Sequence, residues 1–232
     1  MRVCLYTVVL TLFSGGVMAQ GALSDIMSGK LINPEVGVFA WYDLKDAETG
    51  QRLFMRQAIV GRKQVGSQTG YYLETEVMPE IGFPIIYKML LTGPASDPAN
   101  VHEIVVKDGT HPAETLSVNM LEGAFDDDEK ETRESQGVVT ISTPAGNIEA
   151  EHFLISKNGL QTEIWVNDDI RPMGIVKMIN ADGELVLNRF GTGGPDAESA
   201  LERKMEHPET EDVKVRISPS HSKNFSGRSA PE

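Results

Sequence analysis

Apolar positions along most of this 232-residue chain recur at every second residue, the period of a strand with one face turned to a core. Val36, Val38, Ala40, Tyr42 and Leu44 alternate with Gly37, Phe39, Trp41 and Asp43, so both faces of this run carry bulk and both need cover. After a turn at 46–50, a returning run over 53–61 places Met55 and Ile59 on one side and Phe54, Ala58 and Val60 on the other. A polar turn is expected over 61–70. The third run, 71–78, sets Tyr72, Glu74, Glu76 and Met78 against Tyr71, Leu73 and Val77. The stretch 83–91 is nearly continuous in apolar residues, and Pro84 near its start with the β-branched Ile85 and Ile86 favours a strand over a helix. Strands over 101–107 and 113–121 are expected to pair across Asp108, Gly109, Thr110, His111 and Pro112. From 138 to 190 strand runs follow one another through the Thr143, Pro144, Ala145, Gly146 turn and the Ala181, Asp182, Gly183 hairpin, with Trp165 in the middle run. The pattern predicts a mainly β chain built as an antiparallel meander. Ahead of it, Ala22, Leu23, Ile26, Met27 and Leu31 recur near helical spacing and stop at Asn33, Pro34, predicting one short N-terminal helix that covers the mouth or inner face of the sheet.

The two ends differ from the middle. Residues 1–19 combine Arg2, an apolar run over 3–13 and a small-x-small ending at Val17 and Ala19, the pattern of a cleaved secretory signal. The run is too short for about 30 Å of hydrocarbon, and the mature chain is expected to contain no transmembrane segment and to reside in a periplasm. Cys4, the one cysteine, lies inside the signal, so neither a disulfide nor a catalytic thiol is expected after cleavage. Cleavage removes Arg2 and no acid, so 21 basic residues become 20 against 34 acidic, a formal charge of −14 that disfavours nucleic acid. Part of that charge sits in one loop, where Asp126, Asp127, Asp128, Glu129 and Glu131 cluster. The expected division is a signal over 1–19, a folded domain over 20–190 and a polar, solvated tail over 191–232 whose only aromatic is Phe225.

No constellation of residues in the chain names a reaction. The five histidines, at 102, 111, 152, 207 and 221, have no zinc spacing on one element. Ser67 lacks the strand-to-helix elbow of a nucleophilic serine, and the glycines at 191, 193 and 194 open a tail rather than a phosphate-binding helix. The run from Asp126 to Glu129 lacks the order of a calcium loop. Glu74 with Glu76, and Glu149 with Glu151, stand at alternate positions, as acids on a solvated sheet face do. An enzyme is not expected, and neither is a cofactor or a metal.

What remains is soft apolar lining. Met55, Met78, Met89, Met120 and Met178, with Phe39, Trp41, Tyr72, Tyr87, Phe153 and Trp165, lie in or at the ends of the expected strands, and a sheet rich in adaptable methionine suits a cavity for acyl chains. Burying a chain of about 14 carbons, at roughly 0.8 kcal/mol per methylene, contributes on the order of 10 kcal/mol without a polar contact. In the order of its parts the chain resembles the periplasmic lipoprotein carriers LolA and LolB. The parts are a signal, a short helix, and the segments 38–42, 58–61, 71–76, 88–90, 143–146, Trp165 and 174–178, ending on a strand and Gly191. That resemblance implies a single curved antiparallel sheet, a half-barrel of about ten strands cupping an apolar hollow. The expected function is therefore the binding of a lipid or another hydrophobic ligand in the hollow, in lipid or lipoprotein traffic at the outer membrane. The alternative is an envelope scaffold or assembly factor that takes a protein partner through the acidic loop or the tail.

Overall fold

The computed structural model describes residues 30–121, 132–157 and 159–203. The signal, nearly all of the expected helix, the acidic run and residues 204–232 lie outside them. The fold is mainly β. Its strands are β1 (Val38–Asp46), β2 (Arg52–Val65), β3 (Gln68–Pro79), β4 (Ile85–Leu91), β5 (Val101–Asp108), β6 (Glu114–Leu116), β7 (Thr132–Thr143), β8 (Gly146–Lys157), β9 (Leu160–Val166), β10 (Ile175–Asn180) and β11 (Gly183–Thr192). They form one antiparallel sheet in the order β6-β5-β4-β3-β2-β1-β11-β10-β9-β8-β7. Two meanders thus meet at the β1–β11 seam, and the sheet stays open.

The turns follow local chemistry. Asp46 caps the first hairpin, its Oδ1 accepting from the Thr49 backbone N–H at 2.6 Å and the Thr49 hydroxyl at 2.7 Å. Asn180 Oδ1 accepts from the N–H groups of Asp182 and Gly183, each at 3.0 Å, and a Cβ at Gly183 would collide with the Lys45 carbonyl oxygen. Two expectations shift. The 61–70 turn is mostly ladder, running through Val65 and resuming at Gln68, because backbone pairing continues past the apolar core on exposed Lys63, Gln64 and Thr69. The 113–121 strand shortens to Glu114–Leu116, followed by a 3-10 turn over Val118–Leu121.

Alternation gives the sheet two different faces. Ala40, Tyr42, Met55, Leu73, Met89 and Leu185 are buried together in one large cluster, although the described residues include no α-helix to lie over them. A sheet buries one face without a second layer only by bending over it. The cluster runs from Ile104 and Leu116 near one edge to Ile141, Ile148 and Ala150 near the other, and β7 approaches β10 and β11 across the hollow. One end is plugged by Ala95 from the 92–100 loop and by Ile170 and Met173 from the 167–174 loop, against which Leu31 packs. Gly174 is required there, since its φ is +77° and a Cβ would stand 2.5 Å from Ile32 Cδ1.

The outer face corrects two expectations. Glu74 and Glu76 are buried, and fully buried Arg56 on the neighbouring strand stands opposite Glu76 and diagonal to Glu74. Arg56 Nη2 donates to Glu74, and Nε donates to Glu76 Oε2 at 2.8 Å. The same guanidinium donates through Nη1 to the carbonyls of Asp196 (2.8 Å) and Glu198 (3.1 Å). Glu74 in turn accepts from the Ser199 hydroxyl at 2.6 Å and the Ala200 N–H at 2.7 Å. Residues 195–203, expected to be solvated, therefore cross the outer face as a strap, because a buried ion pair there offers partners that water would otherwise supply. Burial works to raise the Asp196 carboxyl, but hydrogen bonding and charge from Arg189, with the charge of Arg203, hold it below its ordinary value of 3.8. Its contribution to stability is thus complete above about 3.8 and is lost as the pH falls through the lower folded value.

Replacing Arg56 by Met leaves Glu74 buried without its charge partner, so the unfolding free energy in urea at neutral pH is expected to fall by about 3–5 kcal/mol. A loss below about 1 kcal/mol would show that the buried pair does not hold the strap.

Candidate functional site

Opposite the plugged end, four turns converge: residues 46–51, 79–85, 108–111 and 180–183. They surround a cavity of about 730 Å³ that enters the hollow of the sheet. Its floor continues the inner face, with Leu44 and Leu53 paired across β1 and β2, Val77 and Ile85 paired across β3 and β4, and the core residues Met178 and Leu185 paired across β10 and β11. Tyr87 stands on the same wall, its phenol raised by burial and by the charge of Asp108, and so remains neutral. At the lip Phe83 is 64% exposed, and Ile81 in the same turn is 90% exposed.

The rim is polar and carries Asp46, Gln51, Asp108, His111, Asn180, Asp182 and Glu184. The hydrogen bonds from Thr49 hold the Asp46 carboxyl below its ordinary range. Rim and floor together make an amphiphile-shaped site, apolar inside and charged outside.

The residues expected to form one lining are divided by the fold. Tyr87 and Met178 line the cavity. Met55, Met89 and Trp165 belong to the packed inner cluster. Phe39 and Trp41 sit in a second cluster on the outer face, with Met78 and Ala197 packed against it. They alternate with Ala40 and Tyr42, so the strand period that buries one set inward turns the other outward. Tyr72 is also on that outer side, its hydroxyl donating to Glu103 at 3.1 Å beneath Lys88. Phe153 is half-buried under the guanidinium of Arg133, and the Met120 side chain lies outside the described residues. The floor residues Leu44, Leu53, Val77, Ile85 and Leu185 are common aliphatics, and residue type alone does not mark them as lining. The signal that finds them is position: same-face residues next to turns at one end of the sheet.

Deeper on the inner wall is a polar trio. Gln57 pairs with Thr75, Thr75 pairs with Tyr87, and Tyr42 stands diagonal to Gln57. All three are fully buried, and the Tyr42 hydroxyl, both Gln57 amide atoms and the Thr75 hydroxyl have no hydrogen-bond partner among the described residues. Burial pushes the Tyr42 phenol strongly up, so the trio is uncharged. Other chemistry is sparse. No group of three or more His, Cys, Asp or Glu fit to hold a metal occurs among the described residues. His152 stacks on Trp165 at 4.3 Å and lies 2.9 Å from the Glu163 carboxylate, while Glu149 and Glu151 are exposed as expected.

No protein-family model matches the chain, and no curated protein matches its sequence. Among solved structures, the chain is similar to a protein of Bacteroides fragilis described as exported and as having a YmcC-like fold. The TM-score is 0.37 at 11% identity, over 71% of this chain and 100% of that one. A protein of Parabacteroides distasonis described as a lipoprotein gives 0.36 at 12%, over 70% and 99%. MucB gives 0.42 at 8%, over 82% of this chain and 65% of its own length.

Because the Thr75 hydroxyl is buried without a partner, Thr75→Val keeps the shape of the side chain and removes an unmet polar group. The unfolding free energy is expected to rise by on the order of 1 kcal/mol in urea titration, and a comparable fall would show that the hydroxyl is bonded in solution.

Proposed function

We propose that this chain is an extracytoplasmic, non-enzymatic protein that binds a lipid or another hydrophobic ligand in the hollow of its sheet. The observation that carries the reading is the cavity of about 730 Å³ at the open end, floored by apolar side chains that are half-buried on β1 to β4 and buried on β10 and β11. That volume is within the roughly 300–1,000 Å³ of small-molecule sites. Exposed Phe83 at its lip, with Ile81 exposed in the same turn, gives an apolar chain a place to land before it moves inward. Support for export comes from the signal pattern of residues 1–19, and the order of the segments, which resembles that of the lipoprotein carriers, supports traffic of lipid or lipoprotein as the setting.

A second reading, an assembly factor that takes a protein partner, is supported by β7. This 12-residue strand is exposed along 132–140, Val138 and Val139 included, and its outer edge has no strand partner among the described residues. Such an edge accepts an added strand.

The test is saturable one-to-one binding of the neutral fluorophore N-phenyl-1-naphthylamine to the mature chain. Val77→Arg puts a cation into the floor, and Phe83→Asp puts an anion at an exposed lip position that folding does not need. Each is expected to weaken binding by about tenfold or more, equivalent to about 1.4 kcal/mol, while Val139→Arg on the β7 edge leaves it unchanged. Binding indifferent to both cavity variants would overturn the reading.

A further inference from the structure

We propose that the ligand of this cavity ends in an ammonium group, so that a long-chain amine is taken up in preference to an acid of equal length. The inference rests on the binding reading above and adds the chemistry of the ligand's head. Four carboxylates and a single histidine line the cavity, with no lysine or arginine. Among the described residues Asp46, Asp108 and Asp182 form no salt bridge, whereas Glu184 is held by Lys177 at 2.7 Å.

The imbalance follows from the register. Asp46 shares the inner side with Leu44, two residues earlier, and Asp108 with Val106. The cations of the same strands alternate to the other side. Lys45 pairs with Arg52 next to the outward Asp43 and Phe54, and Lys107 pairs with outward Ile86. Carboxylates on low-dielectric aliphatic walls concentrate negative potential at the mouth, while nothing deeper carries charge. The inner wall offers the phenol of Tyr87 and, beyond it, the uncharged Gln57, Thr75 and Tyr42. An anionic head at this rim would face carboxylates and no lysine or arginine, whereas an alkylammonium would face opposite charge.

The test uses the mature chain loaded with N-phenyl-1-naphthylamine and displaced by dodecyltrimethylammonium, dodecanol or dodecanoate, each below its micellar concentration. The ammonium is expected to bind about tenfold tighter than dodecanoate, with dodecanol between them. Raising the salt from about 0.02 M to about 0.5 M should narrow the gap, because the Debye length shortens to a few Å. The double variant Asp108→Asn/Asp182→Asn should bring the ammonium and dodecanoate to within about twofold while leaving dodecanol unchanged. Glu149→Gln/Glu151→Gln removes the same charge from the exposed β8 strand and should leave the gap intact. Equal or tighter binding of dodecanoate, or equal narrowing by the β8 variant, would overturn the proposal and leave the cavity reading standing. Absence of saturable binding by the naphthylamine and dodecanol alike would overturn the cavity reading itself.

Discussion

A single sheet that must bury one face with no second layer above it has to bend over that face, and most of this structure follows from that constraint. The apolar inner positions of β1 to β5 and of β8 to β11 exceed what a flat layer could keep dry. Bending brings the β7–β8 hairpin back towards β10 and β11, and buries residues far apart in strand order within one cluster. Curvature also leaves two ends. Loops fill one, and the other stays open, with the apolar residues of its 79–85 turn, Ile81 and Phe83, left exposed rather than folded inward.

The outer face answers a different problem. Bending stretches the outside of a sheet, and its central strands carry Arg56, Glu74 and Glu76 where apolar residues would give simpler cover. Taken alone, that triad is a poor source of stability, since desolvating three charges offsets much of their attraction. Its value is specificity. The guanidinium reads two carbonyls of residues 196 and 198, and Glu74 receives Ser199 and Ala200, so the strap has one registered position across β1 to β3. Trp41, under Arg189 at 4.6 Å, and Phe39 are kept dry by the same segment.

These two faces place the site. The packed core and the end plug set the depth of the hollow, and the last inner residues of six strands become its floor. Strand alternation that turns aliphatic side chains inward also turns the neighbouring lysines and arginines outward, which leaves the mouth with carboxylates and no lysine or arginine. Shape and charge of the cavity therefore have one origin, the parity of residues along the strands. In the proposed role no catalytic group is needed, since apolar burial would supply affinity and the rim selection.

Much of the fold was legible in the chain: period-two runs, a turn capped by Asp46, a hairpin at Asp182 and Gly183, and even the strand choice for 83–91. Strand parity was legible too, since it already separates Phe39 and Trp41 from Ala40 and Tyr42. The sequence by itself determined which residues share a face, because a strand's side chains alternate whatever lies around it. Which face is hollow, which is strapped, and that Glu74 and Glu76 are buried rather than solvated were decided by tertiary structure. Those outcomes depend on the direction of bending and on partners at residues 196–200, more than a hundred positions away, and no local pattern encodes contacts at that separation.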